Sequence, residues 1–261
     1  MAQPAETFDT FDAVGNREDL SDMIWDISPM DTPFMANIGR STATATYHEW
    51  QTDSLAAASA TNAAIQGDDA AGTAITPTTR VGNRSQISDK VVIVSGTQRV
   101  VDSAGRADEL AYQVTKAGKE LKRDMESALC QNKASATGSS TVASTLGSFE
   151  SWLETNTDRG ATGADGGFSG GTVSAPTDGT QRAFTETILK SVIQSCYTNG
   201  GNPSILMVGP SNKQVVSGFT GNATKYKDVE DKTIVAAVDV YVSDFGTLNV
   251  VPSRFMRDRS A

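Results

Sequence analysis

Ser169 is the first residue to test for chemistry. It stands in Gly167-Phe168-Ser169-Gly170-Gly171, a formal match to the G-x-S-x-G nucleophile elbow. An elbow serine needs a strand before it, a helix after it and a histidine that takes its proton, and in this motif's usual order the histidine follows the serine. Here glycine flanks the serine on both sides, and the single histidine, His48, lies far upstream. His48 itself reads most simply as a strand residue beside Trp50. Asp68-Asp69 places two carboxylates together in a polar stretch, where they read as solvated rather than as an acid–base pair. Gly118-Lys119 is followed by Glu120 inside a helical pattern, so it is no phosphate loop, and no G-x-G-x-x-G follows a strand. Cys130 and Cys196 form neither a CxxC nor a metal-ligand spacing. Both sit among apolar neighbours in helical patterns and read as buried free thiols of a reducing compartment. Asn83-Arg84-Ser85 and Asn222-Ala223-Thr224 match the glycosylation pattern by chance. The residue types thus point to no catalytic group, no cofactor and no metal.

The bulk numbers narrow the classes further. The 261 residues suffice for one large or two modest domains. With 22 basic and 31 acidic side chains the net charge is −9, a balance that repels phosphate backbones and argues against nucleic-acid binding. The first dozen residues have neither a basic start nor an apolar stretch, and no run approaches the roughly 20 apolar residues of a membrane helix. A soluble protein made in the cytoplasm is expected.

The elements that would position any site follow from periodicity. Residues 16–27 pattern as a short amphipathic helix, capped by Asn16, with Leu20, Ile24 and Ile27 on one face. Ser28-Pro29 stops it, and Pro29 and Pro33 are expected to keep the chain extended. Residues 42–50 alternate as a strand, with Thr46, His48 and Trp50 on one face and Tyr47 and Glu49 on the other. A polar, alanine-rich stretch over 55–80 follows, and strand-like chain returns over 84–101 around Val91 to Val94. Two strands joined by so long a linker suggest a stretched hairpin, and compact domains rarely keep such loops without a use for them.

Residues 106–132 form the strongest pattern. Leu110, Val114, Ala117, Leu121, Met125 and Ala128 make one stripe, with Lys116–Glu120 and Lys122–Glu126 paired on the outer side. Residues 134–179 are rich in Gly, Ser, Thr and Ala around an apolar island of Phe149, Trp152 and Leu153, and read as surface loops. A helix over Phe184, Ile188, Val192 and Cys196 ends at Gly200-Gly201. Residues 205–208 form a short strand, 211–219 a second helix and 233–243 a Val/Ile-rich segment, with a turn at 244–247 and a strand at 248–251. Helices alternating with short strands argue for a small α/β domain within an α+β chain.

Large apolar residues outside any self-contained element tell more than the polar ones. Trp25, Phe34, Tyr47 and Trp50 lie in extended pieces and must bury somewhere, because a cluster of exposed apolar groups invites association. A chain that wraps an arm and a hairpin over its neighbours would bury them between subunits. The alternative is that they pack on the long helix of their own chain.

Several stretches also resemble a known family. "DISPMDTPFM", "HEWQTDSLAAA", the long helix at 106–132, "YTNGGNPSILMVGPSNKQVVSGFTGNAT" and "YVSDFGTLNVVPSRFM" together resemble the major capsid proteins of tailed bacteriophages. The resemblance implies the fold shared by tailed phages, herpesviruses and encapsulins. It assigns 1–38 to an N-terminal arm, 39–101 to an extended hairpin loop with flanking strands, and 102–179 to a peripheral domain with a spine helix at 106–132. It assigns 180–247 to an axial domain and 248–261 to a return into the peripheral domain. The implied function is an icosahedral shell of pentamers and hexamers enclosing double-stranded DNA. Its partners would be the chain itself, a portal, and scaffolding or decoration proteins. The resemblance implies further strands after 248–251 that would complete the peripheral domain, so either a short form or a truncated chain is expected. An encapsulin-type compartment shell is the alternative of the same fold, and a hydrolase using Ser169 or Asp68-Asp69 the alternative of another class.

Overall fold

The computed structural model describes residues 6–69, 72–219 and 238–257. In chain order the elements are α1 (Pro33–Asn37), β1 (Tyr47–Thr52), β2 (Thr79–Arg84), α2 (Gly96–Val100) and α3 (Glu109–Cys130). A 3-10 turn follows at Phe149–Trp152, then β3 (Gly167–Ser169), β4 (Thr172–Ser174), α4 (Glu186–Thr198) and β5 (Ile205–Val208). The chain closes with α5 (Pro210–Ser217), β6 (Val240–Ser243) and β7 (Gly246–Pro252). The class is α+β. The chain divides into a smaller unit, 1–30 with 90–121, and a larger one, 31–89 with 122–261.

The larger unit holds the core. Its three-stranded sheet has the order β5-β7-β6, with β5 parallel and β6 antiparallel to β7. Leu248 and Val250 alternate onto one face of β7 and are buried there. Leu189 and Ile193 of α4 pack with Leu248, and Val216 of α5 packs with Val208 and Val250. Phe184, Leu206, Phe219 and Tyr241 are half-buried around both clusters. Helix α4 starts where Thr185 Oγ1 accepts the Ile188 amide at 3.4 Å, and it ends where the Gly201 amide reaches the Cys196 carbonyl at 2.8 Å.

Around residues 133–178 the polar composition proves to be hydrogen-bonded structure. Ser148 and Ser151 are buried, and both hydroxyls donate to the Lys133 carbonyl just past the end of α3. Strands β3 and β4 join through Gly170 and Gly171, whose φ values of 53° and 85° suit a tight hairpin turn. Arg257 ties this region together, bonding Glu150 at 2.9 Å and Asp178 at 2.5 Å.

Several expectations are corrected. Residues 16–27 form no helix: their apolar side chains are exposed, and a short amphipathic segment without a surface to lie on does not hold a helix. Pro33 does not extend the chain but opens α1, at the helix position where its missing N–H costs nothing. The first strand begins at Tyr47 and not at Thr42. Its partner is Thr79–Arg84 rather than the run around Val91 to Val94, which carries no strand pairing among the described residues. Of the Val/Ile-rich segment 233–243, residues 233–237 lie outside the described residues, as does the Asn222 motif. Cys130 is buried as a free thiol, whereas Cys196 is only half-buried.

Candidate assembly surfaces

The hairpin is anchored at its base and open beyond it. Strands β1 and β2 pair antiparallel from Tyr47↔Arg84 to Thr52↔Thr79. Below the base, the Trp50 ring lies 5.1 Å from Trp152 and 5.6 Å edge-on to Phe168. Such aromatic groupings add to the apolar area they bury. The Asn83 side-chain amide exchanges two bonds with the Gly147 backbone, both 2.9 Å, as if it were one more rung of a sheet. Gly82 is required for the close approach of the strands, since a Cβ there would meet the His48 carbonyl at 2.5 Å. On the other face the Arg84 guanidinium lies 4.7 Å over the Tyr47 ring. Arg80 makes two bonds to Glu49, at 3.0 and 2.6 Å, and holds the Glu49 carboxyl below its ordinary pKa. Past these pairs every described residue of 53–78 is exposed, including Leu55, Ile65 and Ile75.

The smaller unit has the opposite composition. Among its described residues no apolar side chain is buried, although Phe11, Leu20, Trp25, Ile27, Val91 and Ile93 are all available. Polar ties shape it instead. Asp22 accepts the Gly105 amide at 2.8 Å, and Asp26 pairs with Lys119 at 3.4 Å. The Ser28 amide, followed by Lys119, draws the Asp26 carboxyl below its ordinary pKa.

The four residues singled out from sequence are not brought together. Trp25 stands open, 78% exposed. Phe34 is half-buried with its ring 5.2 Å from Phe149. Tyr47 and Trp50 are half-buried on opposite faces of β1, Trp50 against Trp152 and Phe168 rather than on the long helix. Glu126 was expected on the outer side of α3 with Lys122. It is instead wholly buried, and its carboxylate accepts the amides of Phe34 and Met35. Its i, i+4 spacing from Lys122 hid this, because a buried glutamate has the same sequence signature as a solvated one.

The elbow around Ser169 is not formed: the serine ends β3 and the chain turns into a strand, not a helix. Among the described residues no group of three or more His, Cys, Asp or Glu is placed to hold a metal ion, and no helix is long and apolar enough to cross a membrane.

A family model, SU10 major capsid protein, matches residues 5–261. The chain belongs to the SU10 major capsid protein family. The major capsid protein of Escherichia phage Phieco32 is 30% identical over 254 residues, covering 85% of this chain and 71% of that protein. The family is one of structural proteins of the bacteriophage capsid, as the sequence resemblance implied.

Proposed function

We propose that this chain is the subunit of an icosahedral bacteriophage head, assembling into pentamers and hexamers around double-stranded DNA by the tailed-phage major capsid fold. In this reading the arm, 1–38, and the hairpin loop, 39–101, reach over neighbouring copies from the points where they are anchored on their own chain. The spine helix and its loops form the peripheral domain, and 180–247 form the axial domain that meets its copies at the five- and sixfold centres. Trp25, with the open parts of Phe34, Tyr47 and Trp50, makes intersubunit contacts. The chain performs no catalysis.

One observation carries this reading: the smaller unit and the hairpin beyond its base expose apolar side chains and bury none among the described residues. Large apolar side chains left open together invite association. Many modest contacts, each weak alone, make a stable lattice because every contact after the first is effectively intramolecular. The net charge of −9 disfavours adhesion to the enclosed DNA. A portal and scaffolding or decoration proteins complete the particle, which is built in the host cytoplasm without a membrane step.

Electron microscopy and sedimentation of the purified chain test the reading. Shells, rings or tubes that enclose nucleic acid are expected. A monomer that persists at high concentration would remove the proposal, and particles filled with a protein cargo would turn it into a compartment shell.

A further inference from the structure

We propose that Glu126 is the positioning residue that fixes where the N-terminal arm leaves the larger unit. The side chain is 0% exposed. Its Oε1 accepts the Phe34 amide at 2.7 Å and its Oε2 the Met35 amide at 2.9 Å. A buried carboxylate is costly unless both oxygens are satisfied, and here two successive backbone N–H groups satisfy them.

Those two donors belong to the first turn of α1, whose amides have no partner within the helix. The helix has five residues, and the residue before it, Thr32, makes no side-chain cap bond. A helix that short does not persist by itself in water. Glu126, more than ninety residues away in sequence, therefore does what a capping residue would do. Pro33 sharpens the dependence, because it contributes no N–H of its own.

The location in the chain gives the contact its consequence. The backbone passes between the two units at 30/31, at 89/90 and at 121/122. Glu126 sits one turn beyond the last crossing and grips the segment that follows the first. Its two bonds thus hold the first of these connections at its larger-unit end. The other ties at the arm root are weaker. Arg254 pairs with Asp31 at 2.7 Å, but both side chains are largely exposed, and such pairs contribute little. The Phe34–Phe149 ring contact orients one side chain without fixing the backbone.

The carboxylate is needed, not the size of the side chain. Glutamine offers one acceptor and one donor, so one of the two amides would face an N–H₂ group. Aspartate keeps the charge but lacks the reach of one methylene. The inference rests on the shell reading, since a defined arm root matters if the arm must meet a neighbour in a fixed place.

The test compares the full-length wild-type chain with E126Q and E126D, by hydrogen exchange at the Phe34 and Met35 amides, thermal melting of the core, and particle yield by sedimentation. In both variants these amides should exchange about tenfold faster while the core still melts cooperatively. Particle yield should fall by about tenfold, the loss expected when a fixed contact becomes a flexible one. Unchanged exchange, or faster exchange with wild-type particle yield, would overturn the proposal. Global unfolding of both variants would also overturn it, by making Glu126 a general stability residue. Failure of the wild-type chain to form particles would instead sink the shell reading, and the amide exchange would still report on the contact.

Discussion

Helix α4 and the segment around Trp25 are built from similar apolar side chains and end in opposite states. In α4, Leu189 and Ile193 are 6% and 5% exposed, whereas Trp25 and Ile27 are 78% and 94% exposed. The difference is not in the residues but in what lies opposite them. Helix α4 has Leu248 on the sheet face to cover, and Thr185 and Gly200-Gly201 to bound it. The segment near Trp25 has no such surface within the described chain, so neither a helix nor a core forms. The larger unit builds a core from its own residues, whereas the smaller one leaves its apolar side chains exposed among the described residues.

The largest effect should come from the region that does build a core. Leu248→Ala removes a buried side chain from the contact with Leu189 and Ile193, and should cost about 2–5 kcal/mol. Calorimetry should show a fall in Tm of several degrees, with particle formation lost alongside. A Tm unchanged from wild type would mean that the core lies elsewhere and would erase the contrast.

Next comes the hairpin base, which belongs to the larger unit but ends in open chain. Trp152→Ala deletes the ring 5.1 Å from Trp50, from a residue that is already 41% exposed. A cost of about 2 kcal/mol is expected, below that of a full core deletion. Amides of β1 and β2 should lose exchange protection before those of β5 and β7. Equal loss in both sheets would show that the hairpin and the core fold as one piece.

The smaller unit should respond the other way round. Trp25→Ala alters a side chain with no core around it, so the monomer's stability should change by less than about 0.5 kcal/mol. The assembled fraction at a given concentration should nevertheless fall, as sedimentation would record. A destabilised monomer with normal assembly would place Trp25 in the wrong category and reverse the comparison.

How much of this was legible in the sequence follows the same division. Strand β5 matched its predicted bounds, and α4 and α3 were found to within a few residues, because periodicity and stop signals act locally and the tertiary surroundings agree with them. Errors fell where a partner decides. The run around Val91 to Val94 has high strand propensity, yet Thr79–Arg84, with Val81 as its single large apolar residue, is the strand. Gly82 and Asn83 explain that outcome through contacts with His48 and Gly147, which no local pattern announces. The buried role of Glu126 was hidden for the same reason. The candidate contact residues were recognisable as apolar groups in extended chain, but which of them would find partners in their own subunit depended on Trp152, Phe168 and Phe149, all distant in sequence.

Acid should produce the smallest effect and compare the two regions within one titration. In the larger unit the Thr157 hydroxyl, and after it Arg159 at 2.7 Å, hold the Asp165 carboxyl below its ordinary pKa. In the smaller unit the Ser28 amide and then Lys119 do the same to Asp26. A carboxylate whose folded pKa is depressed contributes stability above its unfolded value, and that contribution disappears as pH falls through the folded value. Both ties should therefore be intact at neutral pH and loosen below about pH 4. The Lys119–Asp26 pair has both side chains more than two-fifths exposed, whereas Arg159 is mostly covered. Added salt should therefore raise the pKa of Asp26 toward its ordinary value more than that of Asp165, because screening acts on charges that water can reach. Carboxyl titration by NMR at low and high ionic strength checks this. If the two carboxyls respond to salt equally, the polar ties of the smaller unit are as sheltered as those of the larger, and the contrast between the units is confined to their apolar side chains.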